Sequence, residues 1–144
     1  MAATVNAPTA TQLQPYIFLF GRCEEALKFY KDVFGGTYEI MRLKDTPMAK
    51  ETPDMPGKSV MHASFTAPSI SFYASDGRES KAVDPEAGNI SLALNVGEAA
   101  EADRIFKALS QGGEVKMQLE PAFWGGRWGM VQDRFGNEWL ITAA

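Results

Sequence analysis

His62 is the only histidine in the chain, and this restricts the chemistry open to the protein. The apolar run 60–65 predicts a strand. Met61, Ala63 and Phe65 share one parity and are expected to face the core, so His62 should face the opposite, open side. A neutral imidazole there could act as a base, donate a hydrogen bond to a ligand or bind a metal ion. The alternative is a structural histidine that is hydrogen-bonded within the fold. A site that needs two imidazoles from this chain is excluded.

Polar side chains on other predicted strands share that open side. They are Asn89, Ser91, Asn95, Gln132 and Glu138. Alternation leaves Trp139 and Ile141 for the core. A carboxyl group in a dry cavity has a raised pKa and can accept a proton, so Glu138 is the second catalytic candidate after His62. The alternative is that these side chains face solvent, which we expect first for Asn95 and Glu138, because they lie near strand ends.

Two indoles flank a glycine pair and a cation in the run Phe123-Trp124-Gly125-Gly126-Arg127-Trp128. Large aromatic side chains on a flexible rim suit stacking on a planar or hydrophobic ligand, so Trp124 and Trp128 are candidate ligand contacts. The competing interpretation places one Trp in the core and the other in a dimer contact, where aromatic residues and Arg are also enriched.

Cys23 is the only cysteine and opens a predicted helix. A helix N-terminus can lower a thiol pKa, but we expect a buried, unreactive thiol instead. A single cysteine forms no internal disulfide, and the N-terminus shows no charged and apolar leader. We therefore predict a cytoplasmic protein.

An internal repeat positions these residues. Residues 25–36 recur as 101–112, at an offset of 76. The matched pairs are Glu25 and Glu101, Ala26 and Ala102, Phe29 and Ile105, Tyr30 and Phe106, Val33 and Leu109, and Gly36 and Gly112. Each copy has the apolar period of a helix and ends in glycine, and each is preceded by one predicted strand and followed by three. We predict an α+β fold of two βαβββ modules, about 14–75 and 89–144, in one domain spanning 14–144. The modules should form a concave mixed sheet around a pocket, with the helices outside.

Segments outside these elements are predicted to be irregular. Residues 1–13 lack periodicity and are predicted to form a disordered tail. Residues 44–58 contain Pro47, Pro53, Pro56 and Gly57 and predict a long exposed loop. A loop of this length is often a lid or a dimer contact, and a plain excursion is the alternative.

Charge and hydropathy limit the class of partner. The formal net charge of −4 provides no basic field, so nucleic acid and anionic membrane surfaces are not expected as partners. No apolar run reaches the roughly 18 residues needed to span a bilayer. A small-molecule ligand is the expected partner.

Several motifs occur in a characteristic order between residues 14 and 142. They are Pro15-Tyr16, Glu25-Ala26, Phe29-Tyr30, Phe34-Gly35-Gly36, Val60-Met61-His62-Ala63, Gly112-Gly113, Phe123-Trp124-Gly125, Trp128-Gly129-Met130-Val131-Gln132-Asp133 and Phe135-Gly136-Asn137-Glu138-Trp139. Their order and spacing resemble the PhnB-like branch of the vicinal oxygen chelate superfamily, which is related to glyoxalase I and bleomycin-resistance proteins. The resemblance implies paired modules, a concave sheet that encloses a pocket and, commonly, a homodimer.

Superfamily enzymes carry His, Glu or Gln metal ligands on the first and third strands of each module. The corresponding positions here fall at or next to Pro15, at His62, near Asn89 and near Leu140. Only His62 is a strong donor among them, whereas a divalent ion needs several. Gln14 and Glu138 could supply donors only if the strand register slipped, which would send them to the opposite face. The resemblance therefore predicts an incomplete metal site and no other cofactor.

The sequence favours a glyoxalase- and bleomycin-resistance-like protein that binds a small molecule without a metal ion. Its predicted pocket is lined by His62, Asn89, Trp124, Trp128 and Gln132. The alternative is a divalent-metal-dependent lyase or dioxygenase, with His62 as ligand and Glu138 as the next candidate. A third hypothesis is an interaction module whose Trp-Gly surface serves dimerisation alone. Some relatives carry a demethylubiquinone methyltransferase label, but no Gly-x-Gly-x-x-Gly motif follows a strand, so no nucleotide-methionine cofactor is expected.

Overall fold

Each predicted helix is present, and each belongs to a separate unit of the chain. A computed structural model describes residues 13–77 and 90–144. The chain divides into Met1–Lys81 and Ala82–Ala144. The predicted tail lies outside the described residues except for Leu13, and Asn89 also lies outside them. That the two modules make up one domain stays a prediction.

The two units have the same topology. The first contains β1 (Tyr16–Phe18), α1 (Cys23–Phe34), β2 (Thr37–Arg42), β3 (Val60–Ala67) and β4 (Ile70–Ser75). The second contains β5 (Leu92–Val96), α2 (Ala99–Ser110), β6 (Glu114–Pro121), β7 (Arg127–Gln132) and β8 (Glu138–Ala143). The strand orders are β1-β4-β3-β2 and β5-β8-β7-β6, and in each sheet only the first pair is parallel. The predicted α+β fold with duplicated βαβββ modules is confirmed.

Both helices bury one apolar face against their own sheet. In α1 the residues Ala26, Leu27, Tyr30 and Val33 are at most 2% exposed. In α2 the buried residues are Ala102, Ile105, Phe106 and Leu109. Each side chain of this size that leaves water contributes roughly 1.5–3 kcal/mol, so this face and not the helix propensity holds each helix in place.

The offset between the two copies of the repeat is 76 residues within the helices and 77 in the glycine pairs that follow them. Gly35 and Gly112 have φ values of +74° and +75°. A Cβ atom on Gly36 would lie 2.2 Å from the Thr66 carbonyl oxygen, and one on Gly113 would lie 2.1 Å from that of Gln132. The equivalent pairs are thus Gly35 with Gly112 and Gly36 with Gly113, so the predicted match of Gly36 with Gly112 is wrong. One additional residue in the second connection accounts for the shift.

A β-bulge in β3 changes the predicted side-chain parity. Ala63 and Phe65 are buried, as predicted. Met41 pairs with His62 and Arg42 pairs with Val60, which leaves Met61 as the extra residue. Met61 lines a cavity with Tyr16 instead of facing the core, so its predicted core position is wrong.

The loop 44–58 is closed at its base. Leu43 N donates to Ser59 O at 2.9 Å, and Lys44 N donates to Gly57 O at 2.9 Å. Between these pairs the chain forms 3₁₀ turns at Leu43–Asp45 and Pro47–Lys50. The loop therefore has fixed ends. That it acts as a lid or as a dimer contact stays a prediction. Among the described residues, no helix has the length and apolar character needed to cross a membrane.

Candidate ligand-binding site

A cavity of about 490 Å³ lies in the first unit, beside β1. Tyr16, Phe18 and Phe20 line it. Tyr16 and Phe18 point to the same side because they alternate along β1, whereas Phe20 lies in the turn after the strand, with φ +42°. Loop 44–58 contributes three lining side chains, and the sheet and its ends contribute the rest. The further lining residues are Leu43, Met48, Thr52, Met55, Ser59, Val60, Met61, Ser75 and Gly77. A largely apolar lining with a few hydroxyl groups and this volume are typical of small-molecule sites.

His62 lies on the same sheet face as Tyr16 and Tyr73. The Tyr16 hydroxyl oxygen is 3.1 Å from His62 Nδ1. The His62 ring centroid is 5.6 Å from that of Tyr16 and 5.2 Å from that of Tyr73. The strand register explains this grouping. Tyr16 and Ser64 both pair with Tyr73, and His62 precedes Ser64 by two residues, so its side chain lies on the same face. The neighbouring Phe72 packs edge-on against Tyr30 of α1, so the histidine face is the one opposite the helix.

The second nitrogen of His62 has no recorded partner. Within residues 13–77 and 90–144, Nε2 is buried and accepts or donates no hydrogen bond. Burial lowers the pKa of His62 below its usual value of 6.5, because the protonated ring loses hydration. The neutral form of the imidazole is therefore favoured.

A second, polar cavity of about 570 Å³ lies near the start of α1. Several of its charged groups are paired within the protein. Arg42 Nη2 donates to Glu24 Oε2 at 2.9 Å. The two carboxylate oxygens of Asp76 accept the backbone N–H groups of Cys23 at 2.8 Å and Val60 at 2.7 Å. We interpret these contacts as structural links between α1, β3 and the end of β4.

The Cys23 thiol is unreactive for a physical reason. The residue is 0% exposed. Burial first, and the carboxylates of Asp76 and Glu24 next, raise the pKa of the thiol far above its usual range. The prediction of a buried thiol is confirmed.

In the second unit, the predicted polar candidates lie on β5, β7, β8 and the residues beside them. Gln132 and Glu138 pair across the two strands, and the Ser91 hydroxyl donates to Glu138 Oε1. The Thr142 hydroxyl donates to Asn95 Oδ1 at 2.5 Å. The structure therefore brings Gln132 and Glu138 together, while Asn89 lies outside the described residues.

The core positions predicted for β8 are confirmed. Trp139 is 3% exposed and Ile141 is 0% exposed. The side chains that alternate with them, including Glu138, belong to the other face of the strand.

The Trp-Gly run forms the connection between β6 and β7. Phe123 is 97% exposed and Trp124 is 62% exposed. Trp124 contacts Phe123 and Trp128 edge-on, with ring centroids 4.8 Å and 6.3 Å away. Arg127 is held by Asp103 at 2.7 Å and by the Leu119 carbonyl oxygen at 2.8 Å. Its guanidinium group is therefore engaged by the protein itself.

The described residues that line the 490 Å³ cavity do not include His62, Trp124, Trp128 or Gln132. The ligand-binding roles of these residues, and the role of Asn89, stay predictions. Tyr16, Phe18 and Phe20 were not predicted from the sequence as cavity residues. The signal for Tyr16 and Phe18 was alternation with Ile17 and Leu19, which are buried. Phe20 had no such signal, because it lies in the turn after β1. Met48 and Met55 had no comparable signal, because a loop has no periodicity.

The described residues do not form a cluster of side chains that could coordinate a metal ion. Among these residues, no group of three or more His, Cys, Asp or Glu side chains could hold a metal ion. At the ligand positions implied by the sequence, Pro15 and Leu140 have no donor atoms, and His62 Nδ1 is occupied by Tyr16. These residues do not fit the divalent ion of the superfamily enzymes.

Solved structures of other proteins share this fold. A fosfomycin resistance protein, FosX, from Listeria monocytogenes superposes with a TM-score of 0.60 at 14% identity, and the alignment covers 94% of this chain and 95% of that one. At this identity the likeness concerns the fold alone. The fold is the glyoxalase-like α+β fold with duplicated modules, as the sequence motifs predicted.

Sequence and structure together narrow the class to one family. The chain belongs to the family described as 3-demethylubiquinone-9 3-methyltransferase, whose model matches residues 11–142. Protein PA1353 from Pseudomonas aeruginosa is 35% identical, with a TM-score of 0.76 and coverage of 93% of this chain and 98% of that one. A PhnB protein from Bacillus cereus, titled a putative 3-demethylubiquinone-9 3-methyltransferase, is 24% identical, with a TM-score of 0.73 and coverage of 93% and 100%. The predicted PhnB-like branch is confirmed.

Proposed function

We propose that this protein binds a small, largely apolar molecule in the 490 Å³ cavity of its first unit. The observation that carries the proposal is the lining of that cavity by three aromatic rings and three methionines, with loop 44–58 contributing to it. Burial of apolar ligand surface provides roughly 25 cal/mol per Å² before the costs of association. Methionine side chains adapt to irregular shapes, so the cavity suits flat or compact hydrophobic molecules.

Hydroxyl groups give the cavity its polar character. Tyr16, Thr52, Ser59 and Ser75 are the lining residues with hydroxyl groups. Thr52 donates to the Met48 carbonyl oxygen at 2.8 Å, and Gly77 N donates to the Ser75 hydroxyl oxygen at 3.2 Å. No charged side chain is among the described lining residues, so a neutral ligand is favoured over an ion.

Calorimetry with 2-ethylnaphthalene tests the proposal. Met48→Trp places an indole in the cavity and should weaken binding at least roughly tenfold through steric exclusion. The matched control is Met117→Trp, because Met117 lies in the second unit and is 49% exposed. Its affinity should stay within about twofold of the wild type. Absence of binding to the wild type, or equal binding by Met48→Trp, would overturn the proposal.

Trp124→Ala separates this site from the one predicted around the Trp-Gly run. Trp124 is 62% exposed and belongs to the second unit. We expect the affinity for 2-ethylnaphthalene to change by less than about twofold. A loss of binding would instead support ligand stacking on the indoles.

The metal-dependent lyase or dioxygenase remains the alternative function. One feature favours it. Among the described residues, the buried Nε2 atom of His62 has no hydrogen-bond partner, so it is available as a ligand atom. The residues at the other expected ligand positions do not support a metal-dependent function, because no group of three or more His, Cys, Asp or Glu side chains that could hold an ion is present among the described residues. Methyl transfer, which the family description names, is not part of the proposal, because the sequence lacks the glycine-rich motif expected for a nucleotide-methionine cofactor.

We also propose a homodimer in the cytoplasm. Phe123 and Trp124 support self-association, because large exposed aromatic side chains are enriched at protein interfaces. Sedimentation of wild type and a Phe123→Ser, Trp124→Ser double variant tests this proposal. A dimer that dissociates in the variant supports it, and a monomeric wild type contradicts it.

A further inference from the structure

We propose that the Tyr16 hydroxyl is the hydrogen-bond donor of the cavity, oriented by His62 Nδ1, and that the ligand carries one acceptor oxygen such as a carbonyl. The inference rests on the proposed function, since it concerns the chemistry of the same cavity. Tyr16 lines the cavity and its hydroxyl is 3.1 Å from His62 Nδ1. Two arrangements of protons satisfy this distance, and they have different consequences for a ligand.

In the first arrangement Tyr16 donates to Nδ1, and the ring proton lies on Nε2. Nε2 is buried without a partner among the described residues, so this tautomer would leave an N–H group unsatisfied in the interior. Buried N–H groups without a partner are rarer than incompletely satisfied acceptors. This arrangement is therefore the costlier one.

In the second arrangement Nδ1 carries the proton and donates to the Tyr16 oxygen. The buried Nε2 is then an acceptor without a proton, and the hydroxyl proton of Tyr16 is free to rotate. Tyr73 and Phe18 pack around Tyr16 with ring centroids 6.2 Å and 5.1 Å away, and they restrict its ring. Tyr16 lines the cavity and is 41% exposed, so its hydroxyl proton is available to a ligand.

The histidine also strengthens the donor. A hydroxyl that accepts a hydrogen bond is polarised and donates a stronger one. His62 acts here as a positioning residue, and Tyr16 would contact the ligand. The ligand class is a neutral, mostly apolar molecule with an acceptor oxygen at one end, because a donor without an acceptor would be left unpaired when an apolar ligand excludes water.

Two compounds of nearly the same shape test the inference, 2-acetylnaphthalene with a ketone and 2-ethylnaphthalene without one. We expect the wild type to bind the ketone roughly five- to tenfold more tightly. Tyr16→Phe should reduce this ratio to about one. The matched control is Tyr38→Phe, since Tyr38 pairs with Phe65 of β3, a core residue on the sheet face that packs against α1, and should keep the preference.

A second measurement reads the tautomer directly. The chain has one histidine, so its ¹⁵N-edited NMR spectrum contains a single imidazole. We expect the proton on Nδ1 in the wild type and a shift toward Nε2 in Tyr16→Phe.

The possible outcomes are distinguishable. A wild type that binds both compounds equally, a preference that survives in Tyr16→Phe, or a proton found on Nε2 would each overturn this inference and leave the proposed function standing. Failure of both compounds to bind would overturn the proposed function and the inference together.

Discussion

The indole N–H of Trp139 donates to the Asp133 carboxylate at 2.9 Å, and both residues are buried. The other carboxylate oxygen accepts the backbone N–H groups of Phe135 at 2.9 Å and Asn137 at 3.1 Å. One side chain therefore holds the turn between β7 and β8 and the largest residue of that core. Charged groups satisfied in this way contribute more to stability than exposed ion pairs.

We expect Asp133→Ala to lower the free energy of unfolding by about 3 kcal/mol, because it leaves buried N–H donors without an acceptor. Urea denaturation followed by circular dichroism provides the measurement. Asp32→Ala is the control, since Asp32 is exposed on α1, and should change stability by less than about 0.5 kcal/mol. Equal effects of the two substitutions would show that the Asp133 contacts are unimportant.

The glycine pairs after the two helices should not tolerate a side chain at their second position. A Cβ atom on Gly36 would meet the Thr66 carbonyl oxygen at 2.2 Å, and Gly36 has φ +82°. We expect Gly36→Ala to cost about 3 kcal/mol through overpacking and strain. Thermal unfolding of the variant against the wild type measures this cost.

Two other glycines serve as graded controls for that experiment. Gly35 has φ +74° but open space around a Cβ atom, so Gly35→Ala should cost about 1 kcal/mol from backbone strain alone. Gly97 has open space and no left-handed φ, so Gly97→Ala should be neutral within about 0.5 kcal/mol. A different rank order would mean that the close approach of Gly36 to β3 is not the cause.

The partly buried His62 should make stability depend on pH. Burial lowers the pKa of His62, so the unfolded chain binds a proton at higher pH than the folded chain does. Its contribution is fully present above the usual value of 6.5 and is lost as the pH falls from there through the folded-state pKa. We expect the wild type to lose more free energy of unfolding than His62→Asn between about pH 7.5 and 5.5. Parallel stability profiles would contradict this expectation.

Measurement of the metal content of the purified protein tests whether the residues at the superfamily's ligand positions can bind a metal ion. Pro15 and Leu140 offer no ligand atoms at two of the positions that the superfamily uses. We expect protein purified without a histidine tag to bind Zn²⁺, Ni²⁺, Mn²⁺ or Fe²⁺ at well below one ion per chain. Stoichiometric metal in the wild type that is lost in His62→Ala would contradict this expectation and favour the enzymatic alternative.

A structural feature can be predicted from the sequence when the interactions that produce it join residues close together in the chain. The helices Cys23–Phe34 and Ala99–Ser110 follow from a 3.6-residue apolar period. The buried Trp139 and Ile141 follow from strand alternation. These signals are local, so the sequence by itself determined the elements, their duplication and most of the core.

The tertiary structure decided the candidate site. The bulge in β3 moved Met61 from the core to a cavity, because pairing with β2 determines which residue is extra. The base of loop 44–58 is held by hydrogen bonds between residues more than a dozen positions apart, and this brings Met48 and Met55 to the rings of β1. The contact of Tyr16 with His62 joins residues 46 positions apart in sequence. No local period encodes such contacts, since they depend on strand register and on a loop closing over a particular sheet face.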